Sequence, residues 1–428
     1  MWDWDAIVVG AGAAGLMAAI HAAERGRRVL LLEKGKKPGV KILMSGGTRC
    51  NITHDCDARG IVAAFGPNGK FLHSALACHG PQDTVEFFNG EGVATKIEET
   101  GKIFPVSNRA VDVLDALLRR LQRSGATLSL GEPMTALERL PDGGFRVTTK
   151  RAGSVSDGAG TTVAYASGSD CRFTCEKVLI TTGGKSYPGC GTTGDGYAWA
   201  VQFGHTIVPP RPALVPLTVQ AAWVANLRGI TLPDVNLKVF EESKLLASRR
   251  GSMLFAHFGL TGPAPLDVSR AVSGHPKPAS LVLEVDLLPA MVEAAFDEFL
   301  RTESLASGKK QLAGVLAEKL PRRVCDRLIA LCGQAVDRKA AALSKMDRQN
   351  LAACVKRLRL PLRGTLGFEK AEVTAGGVSL DEVDSRTMQS KLVPGLYFAG
   401  EVLDLDGWIG GYNFQSAWST GWLAGREL

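Results

Sequence analysis

The segment Gly10-Ala11-Gly12-Ala13-Ala14-Gly15 constrains this chain more than any other stretch, because of what flanks it. Residues 5–9, DAIVV, form a short apolar run of the kind that makes a buried parallel strand. The Ala-rich LMAAIHAAERG that follows reads as a helix ending at Gly26. RVLLLE, residues 28–33, is then a second buried strand. Together they make one strand–helix–strand unit of about thirty residues.

In that setting each glycine has a task. Gly10 permits a tight turn, Gly12 lets the backbone approach a pyrophosphate, and Gly15 allows close helix–strand packing. The helix N-terminus at Ala13 and Ala14 offers free N–H groups and a positive dipole end to phosphates. Glu33 closes the second strand eighteen residues after Gly15, where a carboxylate accepts from a ribose hydroxyl, and Lys34 stands beside it. An acid here disfavours a 2′-phosphate, which leaves FAD or NAD. The competing reading is an Ala/Gly-rich turn with an incidental acid.

The rest of the chain chooses between those cofactors. Gly-rich segments recur at Ser45-Gly46-Gly47-Thr48-Arg49-Cys50-Asn51, at Thr181-Thr182-Gly183-Gly184, at Gly400-Glu401, and at Gly410-Gly411-Tyr412-Asn413. Repeated close approach of backbone to ligand suits a long, extended molecule, hence FAD. Gly400-Glu401 ends a strand beside which the ribityl or pyrophosphate part would pass. Gly410-Gly411 opens the final helix, whose positive end would stabilise negative charge on reduced flavin, with Tyr412 and Asn413 as further donors.

KILMSGGTRCNIT, GKIFPVSNRAVDVLDAL, VLITTGGKSYPGCGTTGDGYAWA, HFGLTGPAPLDVSR, EVTAGGVSLDEVDSRTM and GLYFAGEVLDLDGWIGGYNFQSAWSTG lie in that order along nearly the whole chain. In these stretches the sequence resembles the BaiN-like and YhiN-like flavoproteins, an aminoacetone-oxidase-like family with a glutathione-reductase-type FAD domain. The resemblance implies FAD, an interrupted domain and a redox role. Thr48 departs from it, since many members carry a third glycine there; Trp408 falls at a variable position.

At 428 residues the chain is too long for one ordinary core. The expected fold is α/β: a glutathione-reductase-like Rossmann-type FAD/NAD(P)-binding domain interrupted by a β-rich and then helical insertion. The boundaries are 1–205 for the first part of the FAD-binding domain, 206–288 for the β-rich insertion, 289–360 for the helical subdomain and 361–428 for the C-terminal completion. Ser107 is expected to cap a helix that ends before Gly125, and Asp195 to cap the helix GYAWAVQFG. Residues 151–170, rich in Gly, Ser and Thr, read as a long mobile hairpin tip.

The formal net charge is +7, with basic residues scattered in pairs and no aromatic-interleaved stripe, so a small-molecule substrate is expected rather than nucleic acid. Nine irregularly spaced cysteines in a chain of this size favour reduced thiols and the cytoplasm. Cys171 and Cys175 lack a second pair, so no metal site is expected. Neither a signal peptide nor a membrane-length apolar stretch is legible, and the oligomeric state is not.

Three residues are candidates for catalysis. Cys50 beside Arg49 would be a thiolate if its pKa were lowered, but a small residue packed against the flavin is the simpler role, because no resolving cysteine stands at redox spacing. Tyr187 would contact substrate, or merely belong to a turn. His257 would donate a proton, or merely pack beside aromatics. The resulting reading is an FAD-dependent oxidoreductase with NADH or NADPH as a transient reductant and hydride transfer to a small organic substrate. The alternatives are an oxygen-dependent amine oxidase, an FAD-containing RNA-modifying factor, and a flavin-binding protein without turnover.

Overall fold

Ala6, Ile7, Val8 and Val9 are buried because the strand Trp4–Val9 has parallel neighbours on both sides and helices over its faces. In the computed structural model, which describes residues 2–150, 155–156, 162–163, 170–306 and 309–428, this strand pairs in parallel with Val29–Glu33 on one side and Asp170–Ile180 on the other. Thr127–Leu130 extends the sheet beyond Val29–Glu33. The long strand Asp170–Ile180 has two neighbours on its far side. Its first half pairs antiparallel with Phe145–Lys150, which in turn pairs with Met134–Arg139. Its last residues pair in parallel with Leu396–Phe398, a strand from the C-terminal end of the chain.

The chain divides into two units, Met1–Arg211 with Val373–Leu428, and Pro212–Glu372. The first holds the seven-stranded sheet and a three-stranded antiparallel sheet of Thr53–His54, Lys102–Pro105 and Thr95–Ile97. The helix Ala13–Glu24 and the final helix Tyr412–Glu427 pack backbone to backbone. A Cβ on Gly421 would collide with the carbonyl of Ala14, and one on Gly425 would lie 2.6 Å from the carbonyl oxygen of Ala18. Both pairs advance by four residues, so the two helices run in the same direction.

The second unit is a closed barrel in the order Leu217–Val219, Gly259–Thr261, Lys244–Ala256, Thr231–Glu241, Leu281–Asp286 and Leu358–Thr365. Val235, Leu237 and Val239 alternate inward against Leu281, Leu283 and Val285, as a half-buried antiparallel pair requires. Four helices, Glu293–Ala306, Leu312–Leu316, Arg322–Leu331 and Lys345–Lys356, lie between the last two barrel strands in sequence. The β-rich and helical segments separated at 288/289 by sequence are therefore one unit, because Leu358–Thr365 returns after the helices to close the barrel.

Two capping expectations are corrected. The helix Ala110–Ser124 starts from Arg109 with no side-chain cap, so Ser107 does not cap it, although Gly125 does end it at φ +84°. Asp195 is the first residue inside its helix, with Gly194 at the cap, and its carboxylate goes to Lys34. Most of the hairpin expected at 151–170 falls outside the described residues; Val155–Ser156 and Thr162–Val163 pair antiparallel within it. Among the described residues, no helix is long and apolar enough to cross a membrane, and no His/Cys/Asp/Glu group could hold a metal ion.

Candidate active site

Four parallel strands end in register: Leu32 pairs with Val9, Val9 with Ile180, and Ile180 with Phe398. The segment that follows each of these ends carries expected site residues. Gly10–Gly15 follows the first strand, Glu33 and Lys34 close the second, Thr181–Gly184 follows the third, and Gly400-Glu401 follows the fourth. The sheet thus brings four distant stretches of sequence to its carboxyl edge, where open α/β sheets bind their ligands.

The first turn is fixed by Thr181. Its hydroxyl donates to the carbonyls of Val9 (3.0 Å) and Gly10 (2.9 Å), and a Cβ on Gly10, at φ +107°, would stand 2.7 Å from the Thr181 carbonyl oxygen. A Cβ on Gly15 would overlap the Gly10 carbonyl. Gly12 differs, because nothing lies within 4 Å of where its Cβ would be. Two of the three fingerprint glycines therefore close the turn, and the third leaves its backbone uncovered for a ligand. The first N–H groups of the helix from Ala13 have no intrahelical acceptor and carry the positive end of its dipole. Glu33 accepts from the N–H of Ala11 (3.0 Å) and of Gly35 (2.7 Å), one bond to each carboxylate oxygen. Each oxygen keeps a lone pair for a ribose hydroxyl.

The other glycines sort the same way. Gly47 is open, whereas Gly184 packs on the Thr374 side chain, Gly183 on the Thr192 methyl, Gly400 on Ala14, and Gly411 on the Thr53 carbonyl. Gly46, Gly47 and Thr48 follow one another at φ +55°, +67° and +69°, and Cys50 is at +60°. Thr48 thus occupies a left-handed backbone position that favours glycine. Ser45 donates to the Ile42 carbonyl and holds the start of this loop.

Several expected ligand contacts prove to be loop fasteners. Asn51, with its amide oriented to satisfy both ends, accepts from Gly411 N–H and donates to the Thr53 and Ile103 carbonyls. Asn413 accepts from Gly407 N–H and donates to the Gly407 and Trp408 carbonyls, closing the turn before the last helix. Arg49 pairs with Glu98 at 2.7 Å and lies over the Phe104 ring, so its charge is already met. Lys34 donates to Thr193 and pairs with Asp195. Cys50 is fully buried and burial pushes its thiol up to about 12, so it is no thiolate at neutral pH. Tyr187 sits half-buried at φ +54° ahead of a short turn. His257 is exposed beside Phe258 in the barrel unit.

Residues that sequence reasoning passed over form the firmest network in the site. Lys41 donates to Ser186 Oγ (2.7 Å) and Glu401 Oε2 (2.6 Å). Ser186 donates to Glu401 Oε1 (2.7 Å), which also accepts from Thr374 N–H (2.9 Å). The Thr374 hydroxyl in turn accepts from the backbone N–H of Lys185 and Ser186. Lys41, Ser186 and Thr374 all lie in the stretches that carry the family resemblance. No local spacing marks them, since Lys41 and Glu401 are 360 residues apart. His54 stacks on Tyr412 at 4.5 Å, and its Nδ1, 3.0 Å from the Gly410 carbonyl, must carry the proton. Burial lowers its pKa.

The residues fit FAD. Two helix N-termini face the same way, and the contacts Ala14–Gly421 and Ala18–Gly425 make the last helix begin about 12 Å before the first along their shared direction. That offset provides one dipole for a pyrophosphate and a second for the far end of an extended cofactor. The fold and site define an FAD-dependent oxidoreductase. Residues 4–427 match the HI0933-like protein Rossmann domain, and the chain belongs to that family.

The chain is 37% identical to a ribosomal RNA dihydrouridine synthase of Escherichia coli, over all of this chain and 98% of that protein. It is 33% identical to a 3-dehydro-bile acid delta(4,6)-reductase of Clostridium scindens, over 98% of this chain and 97% of that one. The fold is shared with a 3-ketosteroid-delta4-(5alpha)-dehydrogenase from Rhodococcus jostii (TM-score 0.53, 15% identity, 100% of this chain and 97% of that chain).

Proposed function

We propose that this chain reduces a carbon–carbon double bond conjugated to a carbonyl group, and that its substrate is a uridine of ribosomal RNA. The observation that carries the reading is the whole-length similarity to proteins whose names share one chemistry. Saturating uracil to dihydrouracil and reducing a 3-keto Δ4,6 system both add hydride to the carbon remote from the carbonyl. Negative charge then gathers on the carbonyl oxygen, and a proton closes the reaction at the neighbouring carbon.

FAD, when bound, supplies hydride transfer. The protein's own groups supply orientation and charge. The uncovered backbone at Gly12 and the N-terminus from Ala13 hold phosphate, and Glu33 holds ribose. The N-terminus at Tyr412 favours negative charge placed before it. Lys41, fixed by Ser186 and paired with Glu401, keeps one ammonium N–H beyond those two bonds as a donor at the same sheet edge. A nicotinamide donor is expected to dock transiently, since of the chain's two GxGxxG matches only Gly10–Gly15 directly follows a strand, while Gly189–Gly194 lies in and after a short turn.

The test is rescue. An E. coli strain lacking its ribosomal RNA dihydrouridine synthase should regain dihydrouridine in purified rRNA when it expresses this chain, as read by nucleoside mass spectrometry. Folded, FAD-loaded protein with no dihydrouridine would remove RNA as the substrate. Consumption of a 3-keto-4,6-diene steroid by that same protein would then favour the enone reading.

A further inference from the structure

The net charge of this protein is unevenly placed. Pro212–Glu372 carries 23 Lys+Arg against 16 Asp+Glu, while the remainder carries 27 of each. The whole +7 excess belongs to the barrel unit, although the cofactor that the other unit holds is itself an anion.

Within the barrel unit many basic side chains have a carboxylate partner. Arg250 pairs with Asp234, Arg338 with Asp347, Arg348 with Asp297, and Lys356 with Asp286. Others do not, and three of these are arginines that gather near one aromatic ring. Arg327 lies over the Trp223 ring, 4.9 Å from its centroid, and its Nε is buried without a hydrogen-bond partner. Arg323, one helical turn away on the same face, is exposed and donates to the Asn226 carbonyl. Arg228, exposed, follows two residues after Asn226. Among the described residues none of these three has a carboxylate partner. Arg322 joins them from the same helix, its charge met by Asp326.

We propose that this arginine cluster around Trp223 is a docking surface for RNA. The inference rests on the reading of ribosomal RNA as substrate given above. Three arginines without acidic partners make a positive patch that neutralises phosphates, and a guanidinium already stacked on indole is a flat cation on which a base can stack. An anionic polymer with exposed bases matches both features. A small neutral enone matches neither.

The experiment measures binding of protein-free ribosomal RNA by the full-length, FAD-loaded protein, and its conversion to dihydrouridine. Arg228→Glu with Arg323→Glu should raise the RNA dissociation constant at least tenfold near 0.1 M salt. The slope of log affinity against log salt should become shallower by about 1.5, as expected for two lost phosphate contacts. KM for RNA should rise in parallel while kcat at saturation stays within twofold. Lys244→Glu is the charge control. Gly229 N–H bonds the Phe255 carbonyl at one end of the long barrel strand and Lys244 begins its other end, so the two sites stand about 36 Å apart along it. That variant should bind as the parent does.

Unchanged bound flavin and unchanged flavin reduction by the donor would show that the double variant is folded. If the parent makes dihydrouridine and the double variant binds RNA and turns it over equally well, the surface is wrong and the substrate reading stands. A parent that neither binds nor modifies ribosomal RNA overturns both.

Discussion

Gly421 on the last helix sits against the backbone carbonyl of Ala14 on the first, closer than any side chain would permit. The contact sets the offset between the two helices and therefore where each N-terminus stands. Gly421→Val would force the pair apart. Overpacking of this kind costs about 1–3 kcal/mol, so a Tm several degrees lower is expected. FAD should also be retained less well through gel filtration. A variant that keeps both Tm and bound FAD would show that the offset does not position the cofactor.

Glu401 is the shared acceptor for Lys41, Ser186 and Thr374 N–H. Removing it as Glu401→Ala leaves a partly buried ammonium and two other donors unpaired, a loss of about 2–4 kcal/mol. Glu401→Gln keeps an acceptor oxygen for Thr374 N–H and should recover part of that stability. Urea unfolding of the two variants measures the difference. Equal midpoints would mean that Glu401 does not hold the network together.

Two histidines flank Trp422, with His21 at 3.9 Å and His79 at 4.6 Å between ring centroids. Burial lowers both to about 4. A buried neutral histidine binds fewer protons than the unfolded chain between its folded and unfolded pKa. Its stabilising contribution is thus complete above about pH 6.5 and is lost as pH falls toward 4. For the almost fully buried His79 the change across that window is on the order of 3 kcal/mol. Stability by urea titration should therefore drop from pH 7 to pH 5. His79→Phe, which keeps a ring on Trp422, should remove about half of the drop, His21 supplying the rest. A slope unchanged by that substitution would place the titration elsewhere.

Cys50 lies beside the Gly-rich loop with its thiol held protonated by burial. Iodoacetamide at pH 8 should leave it unlabelled in the native protein while half-buried thiols such as Cys171 react, as peptide mass spectrometry would report. Cys50→Ser should keep flavin reduction within about threefold. A loss of a hundredfold or more with FAD still bound would restore a chemical role.

The parts of this site written in contiguous residues were legible. Strand, GAGAAG turn, helix and Glu33 follow one another, and each glycine's task depends on neighbours a few residues away. The segments at Gly400 and Gly411 announce themselves because left-handed backbone selects glycine. What stayed hidden is long-range. No spacing rule connects Lys41 to Glu401, or Ser186 to Thr374, and nothing local says that Leu358–Thr365 returns to close a barrel begun at Leu217. The bonds of Asn51 and Asn413 were hidden for a related reason. A polar side chain in a Gly-rich loop looks free in sequence, but the exposed backbone of such a loop is what captures it. Charge placement is long-range in the same way, because Arg327 meets the Trp223 ring and Arg323 the Asn226 carbonyl only in the fold.

The most direct measurement is a single turnover followed by absorbance. FAD-loaded protein is reduced anaerobically with NADPH or NADH, freed of excess donor, and mixed with ribosomal RNA lacking dihydrouridine. The flavin band should bleach on addition of the donor and return on addition of RNA, with dihydrouridine formed in proportion to flavin reoxidised. A flavin that stays reduced in the presence of that RNA, while the same RNA reoxidises the reduced E. coli relative, would contradict the account.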